Sequence, residues 1–226
     1  MDFDGSICEQ DVTEALLERF ADPRWLDLER ELRAGRIGLR ECVVRQAALL
    51  RPGLEEMLSF AMASFRPRPS FAPFVRWAQS RDLVLAVASD GLGFYIEPML
   101  RAAGVEGVAV HTNDFAAADG GLRLAFPNAH PRCVGCGTCK MNVVVGYRQR
   151  VGPVAFVGEG HSDRYGALYA DLTFARDALV EICERDAVPF EPWETFEDVR
   201  AVLERITERP GPVAPEVCPG WTDQPR

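Results

Sequence analysis

The sequence predicts an α/β fold: a doubly wound, Rossmann-like parallel sheet with helices on both faces and a run of helices inserted near its start. Three observations carry this. The segment Leu83-Val-Leu-Ala-Val87 is apolar throughout, as in strands buried on both faces of a parallel sheet. From residue 70 onward short apolar runs alternate with amphipathic stretches, the pattern of linked βαβ units. Between residues 11 and 65 the apolar residues instead recur at helical spacing.

The elements follow from local signals. Asp11-Val-Thr-Glu14 reads as a capping box ahead of Leu16, Leu17 and Phe20. Asp22-Pro23 opens a second helix that buries Trp25, Leu28 and Leu32 and stops at Gly35. Two more helices are expected at 39–50 and 54–65, broken by Pro52-Gly53 and ended by Arg66-Pro67-Arg68-Pro69. Ser70 then caps a helix through Trp77, and the strand 83–87 follows. A helix at 94–103 and a short strand at 107–111 come next, and Asp119-Gly120-Gly121 marks a hairpin turn. Beyond a cysteine-rich stretch lie a helix from about Met141, a strand at 154–157, a helix at 164–170 and a strand at 172–174. Thr195-Phe-Glu-Asp198 caps a last helix through Ile206. Residues 209–226 hold five prolines and little periodicity, the composition of a mobile tail.

Bulk properties narrow the function. A chain of 226 residues suits one domain, or one domain with an insertion. A formal charge of −9 argues against a nucleic-acid surface, which needs a basic face. No run of 18 apolar residues offers a membrane span, and no basic-then-apolar leader marks secretion. Seven cysteines without such a leader fit reduced thiols in the cytoplasm.

Four segments at predicted strand ends carry chemistry. Asp2-Phe3-Asp4-Gly5-Ser6 sets two carboxylates two residues apart, pointing the same way if the segment is extended. Such a pair supplies a nucleophile and a proton-transfer group, or oxygens for a hard cation. Ser89-Asp90-Gly91 ends the strand from Leu83, Lys140 opens a helix, and Glu159 and Asp163 follow the strand from Val154. In an open parallel sheet these ends line one crevice. Taken singly each has a plain reading: a turn, a helix cap, a surface charge, a solvated loop. Their order at successive strand ends is what points to a site.

In that order the motifs resemble those of the haloacid dehalogenase-like (HAD) superfamily of phosphohydrolases, over nearly the whole chain except the tail. Thr-Cys-Lys140, Gly-His-Ser-Asp163-Arg164 and Pro-Trp-Glu-Thr-Phe-Glu-Asp198 look most like its phosphoserine-phosphatase-like branch, near the methionine-salvage phosphatase, which acts on an enol phosphate. The resemblance implies a HAD core at 1–10 and 70–208 with an all-helical C1 cap at 11–69. It implies a magnesium-dependent phosphatase of a small phosphorylated metabolite. Asp2 would then be the nucleophile and Asp4 the general acid and base. Ser89, Asp90, Gly91 and Lys140 would hold the phosphoryl group. Asp2, the Asp4 carbonyl, Glu159 and Asp163 would serve Mg²⁺.

Two departures stand out. The family's nucleophile ends a buried central strand, yet only Met1 precedes Asp2, so the first strand reads as truncated. Glu159 stands where the motif has Asp, one methylene further out, which predicts weaker magnesium binding that Glu159→Asp improves. His130, Cys133, Cys136 and Cys139 are open to three readings: a Cys₃His zinc site, unpaired loop thiols, or a redox pair. Cys8, Cys42 and Cys183 read as small buried apolar residues. Arg40 and Arg45 lie where a C1 cap presents specificity residues, His161 lies inside the fourth motif, and Phe94-Tyr95 reads as cavity lining or core packing. Competing functions are a catalytically impaired HAD-fold protein that binds a metabolite or partner, a phosphotransferase, and a zinc-based interaction module. Dehalogenation has no leaving oxygen for Asp4 to protonate.

Overall fold

The computed structural model describes residues 1–118, 121–130, 133, 135–206 and 211. The expected turn at Asp119-Gly120 and, apart from Gly211, the Pro-rich tail lie outside the described residues.

Among the described residues, five parallel strands form the core in two hydrogen-bonded groups. In the first, β1 (Leu85–Ala88) pairs with β2 (Val108–His111), in register Leu85 to Val108. In the second, β6 (Leu172–Ala175) lies between β5 (Ala155–Gly158) and β7 (Glu191–Pro192). The N-terminus joins them. The Met1 α-ammonium donates to the Ala86 carbonyl, the Ala88 amide donates to the Met1 carbonyl, and the Asp2 amide donates to the Val157 carbonyl, each at 2.9 Å. Met1 and Asp2 therefore occupy the slot between β1 and β5. They form no strand of their own, but the backbone groups at the carboxyl end of that slot are paired.

Helices cover both faces. On one, α5 (Phe71–Gln79), α6 (Ile96–Ala102) and α10 (Phe196–Arg205) pack Phe71, Ile96, Met99 and Phe196 with Val87 and Phe174. On the other, α7 (Lys140–Arg150), α8 (Arg164–Tyr169) and α9 (Ala178–Arg185) pack Val144, Leu168 and Ile182 on Phe156. Burial on both faces is what the uninterrupted apolar strands require. The run at 83–87 is shorter than expected as a strand. The Leu83 amide closes α5 on the Ala78 carbonyl, and Leu83 and Val84 stay exposed. A hairpin of β3 (Asp114–Ala118) and β4 (Gly121–Ala125) projects after β2.

The helical stretch leaves and rejoins the core at one point. Cys8 bridges to Pro67, and the Arg68 amide donates to the Ile7 carbonyl at 2.8 Å. Between these ends run α1 (Val12–Phe20), α2 (Trp25–Arg33), α3 (Leu39–Ala47) and α4 (Leu54–Ser64). Asp11 caps α1 through the Glu14 amide at 2.8 Å. Leu28, Ile37 and Cys42 form a small core within this stretch. Ser70 departs from its expected role: its hydroxyl accepts the Phe196 amide at 3.2 Å and so ties α5 to α10.

Candidate active site

Asp2, Ser89 and Glu159 follow the carboxyl ends of neighbouring strand positions, and Lys140 is the first residue of α7. The sheet brings them together around one cation. Lys140 Nζ donates to Asp2 Oδ1 at 2.8 Å, to Asp163 Oδ1 at 2.7 Å and to Ser162 Oγ at 3.0 Å. All three charged side chains are buried, Asp163 completely. Asp163 also accepts the Glu159 and Gly160 amides through Oδ2, at 2.8 and 3.0 Å, which fixes the loop that carries Glu159.

Asp4 is held differently. Its Oδ1 accepts the Val12 amide at 3.0 Å, and its Oδ2 accepts the Tyr95 hydroxyl at 2.6 Å. Thr13 Oγ1 lies 2.7 Å from that same hydroxyl and accepts the Leu92 amide at 3.2 Å. Gly91 is required here. A Cβ at that position would lie 2.6 Å from Asp4 Oδ2 and 2.7 Å from the Tyr95 oxygen. Ser89 Oγ accepts the Gly91 amide at 3.1 Å, and Asp90 Oδ1 accepts the Thr138 amide at 2.8 Å. Asn113 donates to the Asp90 and Gly91 carbonyls from below, at 2.6 and 3.0 Å.

Carboxylates outnumber cations in this crevice, and their protonation shows it. Burial, reinforced by Asp163, pushes Asp2 up to about 7, and the same two causes push Glu159 up to about 7. Burial raises Asp90 to about 6 and lifts Asp4 well above the usual carboxylate range. Burial works against the charge on Lys140, but the carboxylates of Asp163 and Asp2 prevail and raise its pKa. The arrangement is short of positive charge.

A divalent cation fits that shortage. Oxygens of Asp2, Glu159 and Asp163 lie within 4.8 Å of one another, an all-oxygen set suited to a hard ion such as Mg²⁺. The long arm of Glu159 is housed by Gly5, where a Cβ would come within 2.8 Å of the Glu159 carboxyl carbon. Both side-chain oxygens of Asp4 are engaged elsewhere, which leaves its main-chain carbonyl as the atom the resemblance assigns to the metal.

A family model described as haloacid dehalogenase-like hydrolase matches residues 1–165. The chain belongs to the haloacid dehalogenase-like hydrolase family. Among curated HAD relatives, the 2-hydroxy-3-keto-5-methylthiopentenyl-1-phosphate phosphatase of Geobacillus kaustophilus is 31% identical over 208 residues, 91% of this chain and 94% of that protein. The phosphatase of the same name from Brevibacillus brevis is 29% identical over 210 residues, 92% of this chain and 95% of its own. A substrate-bound phosphoserine phosphatase superposes with a TM-score of 0.65 at 16% identity, covering 91% of this chain and 96% of that one. A phosphoserine phosphatase from T. onnurineus gives 0.64 at 14% identity, with 91% and 93% covered. These structures share the fold, and the branch expected from the motifs is the one in which the relatives fall.

Several expectations change. His130, Cys133, Cys136 and Cys139 do not converge. Among the described residues, the only close group of three or more such ligands is Asp2, Glu159 and Asp163. Cys133, Cys136 and Cys139 carry no disulfide. Arg40 donates to the Cys136 and Cys133 carbonyls of this loop, each at 2.9 Å. Arg40 is thus spoken for, and Arg45 pairs with Glu41 on an exposed face at 3.3 Å. His161 is exposed at the start of a short turn. Cys8, Cys42 and Cys183 are fully buried as expected, and burial pushes their thiols up to about 11, 12 and 11. Tyr95, Thr13, Asn113, Thr138 and Ser162 are contacts of the site that the motifs did not assign. Ser162 and Thr138 lie inside or beside quoted motifs, whereas nothing in the sequence ties Tyr95 or Asn113 to Asp4 and Asp90.

Proposed function

We propose that this HAD hydrolase cleaves phosphomonoesters of a small metabolite through an aspartyl-phosphate intermediate, with Mg²⁺ held by Asp2, the Asp4 carbonyl and Glu159. The observation that carries the reading is the Lys140 ammonium bridging Asp2 and Asp163 beside Glu159. An Asp2 oxygen attacks phosphorus while the bond to the leaving oxygen breaks, and Asp4 gives that oxygen its proton. Burial suits Asp4 to the task because it holds the proton to higher pH. Asp4 then takes a proton from water, the resulting hydroxide attacks phosphorus, and Asp2 is released with inorganic phosphate. The Ser89 hydroxyl, itself held by the Gly91 amide, and the amide of Asp90 steady the phosphoryl oxygens, and Lys140 restrains Asp2 and offsets developing charge. The bound metal would screen the phosphate dianion from the attacking carboxylate. Asp163 orients Lys140 and the Glu159 loop.

Residues 11–69 form the C1 cap of this reading and 1–10 with 70–208 its core. The meeting of Cys8 and Pro67 supports that division. A capped crevice favours small substrates. The enol phosphate named for the relatives is the first candidate. The deciding experiment is phosphate release from a panel of small phosphomonoesters that includes this compound, with and without Mg²⁺. Asp2→Asn serves as the blank. Magnesium-dependent turnover absent from Asp2→Asn is expected. Turnover that persists in Asp2→Asn, or none across the panel, rejects the reading.

A further inference from the structure

Arg40 lies on α3, within the helical stretch, yet its amide, Nε and Nη2 are committed to a loop of the core. Its amide donates to the Gly135 carbonyl at 2.9 Å. Its guanidinium donates through Nε to the Cys136 carbonyl and through Nη2 to the Cys133 carbonyl, each at 2.9 Å. The guanidinium carbon also sits 5.3 Å from the centre of the Phe126 ring, a stacking contact on the segment that follows β4. Three hydrogen bonds from one residue, two of them charge-assisted and in a rigid fork, define a geometry that a point charge does not reproduce.

The loop so gripped leads directly into the site. Two residues beyond Cys136, the Thr138 amide donates to Asp90 Oδ1 at 2.8 Å. The Cys139 amide donates to the Asn128 carbonyl at 2.9 Å, and the next residue is Lys140, whose ammonium joins Asp2 to Asp163. Gly137 lies against Asn113, where a Cβ would come 2.4 Å from the amide oxygen, so the loop has little room on that side. Arg40 closes the other. Two of the three guanidinium nitrogens are therefore given to the loop rather than to the crevice.

We propose that Arg40 is a positioning residue: its fork fixes the loop that delivers Lys140 to Asp2 and Thr138 to Asp90, so that the seating of the helical stretch and the geometry of the site are coupled. This rests on the phosphatase reading, in which Lys140 acts on Asp2 and the phosphoryl group. The test compares Arg40→Met, Arg40→Lys and Arg45→Met with the wild type, using p-nitrophenyl phosphate turnover, thermal melting and amide hydrogen exchange. Arg40→Met keeps the stem and loses the fork. It is expected to lower kcat by roughly tenfold to a hundredfold, as a displaced catalytic group does, with a smaller change in KM and faster exchange at the amides of 138–140. Arg40→Lys should fall between, and Arg45→Met should match the wild type.

Wild-type kcat in a folded Arg40→Met overturns the proposal, as does a loss that only tracks the unfolded fraction. If the wild type itself is silent on the whole substrate panel, the phosphatase reading fails instead. The coupling is then judged by exchange alone, and unchanged protection at 138–140 in Arg40→Met overturns it.

Discussion

Tyr95 donates its phenolic hydrogen to Oδ2 of Asp4 across a 2.6 Å contact between residues 91 positions apart in sequence. The Tyr95 ring is completely buried and its oxygen also meets Thr13, so the carboxyl it touches has one orientation available. Removing the hydroxyl leaves that oxygen of Asp4 buried with one partner fewer. Tyr95→Phe is therefore expected to lower kcat by roughly tenfold to a hundredfold, a fraction of what general acid–base catalysis contributes, with KM little changed. A kcat within twofold of wild type, on the order of the scatter between neutral substitutions, would show that Asp4 is oriented without it.

Among the described residues, Lys140 is the one side-chain cation bonded to both Asp2 and Asp163. Lys140→Met keeps most of the volume but strands two buried carboxylates, a change that costs about 3–5 kcal/mol when one partner of a buried pair is lost. Turnover should fall by roughly a hundredfold to a thousandfold, the range for losing one preorganised electrostatic contact. Melting curves in Mg²⁺ and in EDTA provide the check. Added Mg²⁺ should recover part of the lost stability but not the turnover, and full recovery of activity by the metal would remove Lys140 from the mechanism.

Glu159 carries the one motif change that bears on metal binding. Its longer arm predicts weak binding from sequence, but the structure accommodates the reach: the carboxylate lies against Gly5 and within 4.8 Å of Asp2 and Asp163 oxygens. Withdrawing it by one methylene should now weaken Mg²⁺, by roughly threefold to thirtyfold given the narrow octahedral geometry the ion demands. Titration calorimetry of Glu159→Asp with Mg²⁺ reads this directly. Tighter binding would restore the expectation drawn from sequence.

Much of this was legible in the sequence, and the exceptions have physical causes. The motif residues could be placed because strand ends are marked by apolar runs that stop, and parallel sheets gather those ends in one crevice. The box at Thr195 was readable because Asp198 closes back on the Thr195 amide at 2.8 Å, an interaction local in sequence. Helix α9 was not predicted. It has eight residues, includes Val180 and Ile182, and begins after Asp177 at a φ of 47° rather than after a recognisable cap. The hydroxyl of Tyr95 and the fork of Arg40 find partners far away in the chain, and no local pattern encodes such partners. Ser70 reads as a cap for the same reason, since its acceptor is used by an amide 126 residues away.

Asp90 makes stability depend on pH. Burial raises its carboxyl from near 3.8 to about 6, and its Oδ2 is buried without a hydrogen-bond partner. Below pH 3.8 the group is protonated in both folded and unfolded chains, and its contribution is flat. Between that value and about 6 the folded state keeps a proton the unfolded chain has released, so stability falls as pH rises. Above 6 the full penalty of a buried charge stands. Asp90→Asn removes the charge and keeps an acceptor for the Thr138 amide, so it should gain about 1–3 kcal/mol near neutral pH. Denaturant titrations from acid to neutral pH should show the two proteins converging at the acid end, and parallel curves throughout would rule the penalty out.

Met1 and Asp2 pair with the carboxyl-terminal parts of β1 and β5. In a parallel strand the N–H and C=O of one residue point the same way. Ala86 and Val157 accept from Met1 and Asp2, so their own N–H groups face the part of the slot that lies ahead of Met1. Leu83 and Val84 immediately precede β1, 41% and 57% exposed. A chain extended ahead of Met1 by about four β-branched residues, near the usual length of a short strand, would enter that slot and pair with both groups. Each hydrogen bond adds about 1 kcal/mol and each apolar side chain that becomes buried adds more, so a gain of roughly 2–4 kcal/mol is expected. In a chain of this size that corresponds to a melting temperature higher by about 4–16 °C. Calorimetry of the extended and unextended chains decides it, with a polar Gly-Ser extension of equal length as the control. Equal melting temperatures for all three would mean that Met1 and Asp2 already satisfy the centre of the sheet.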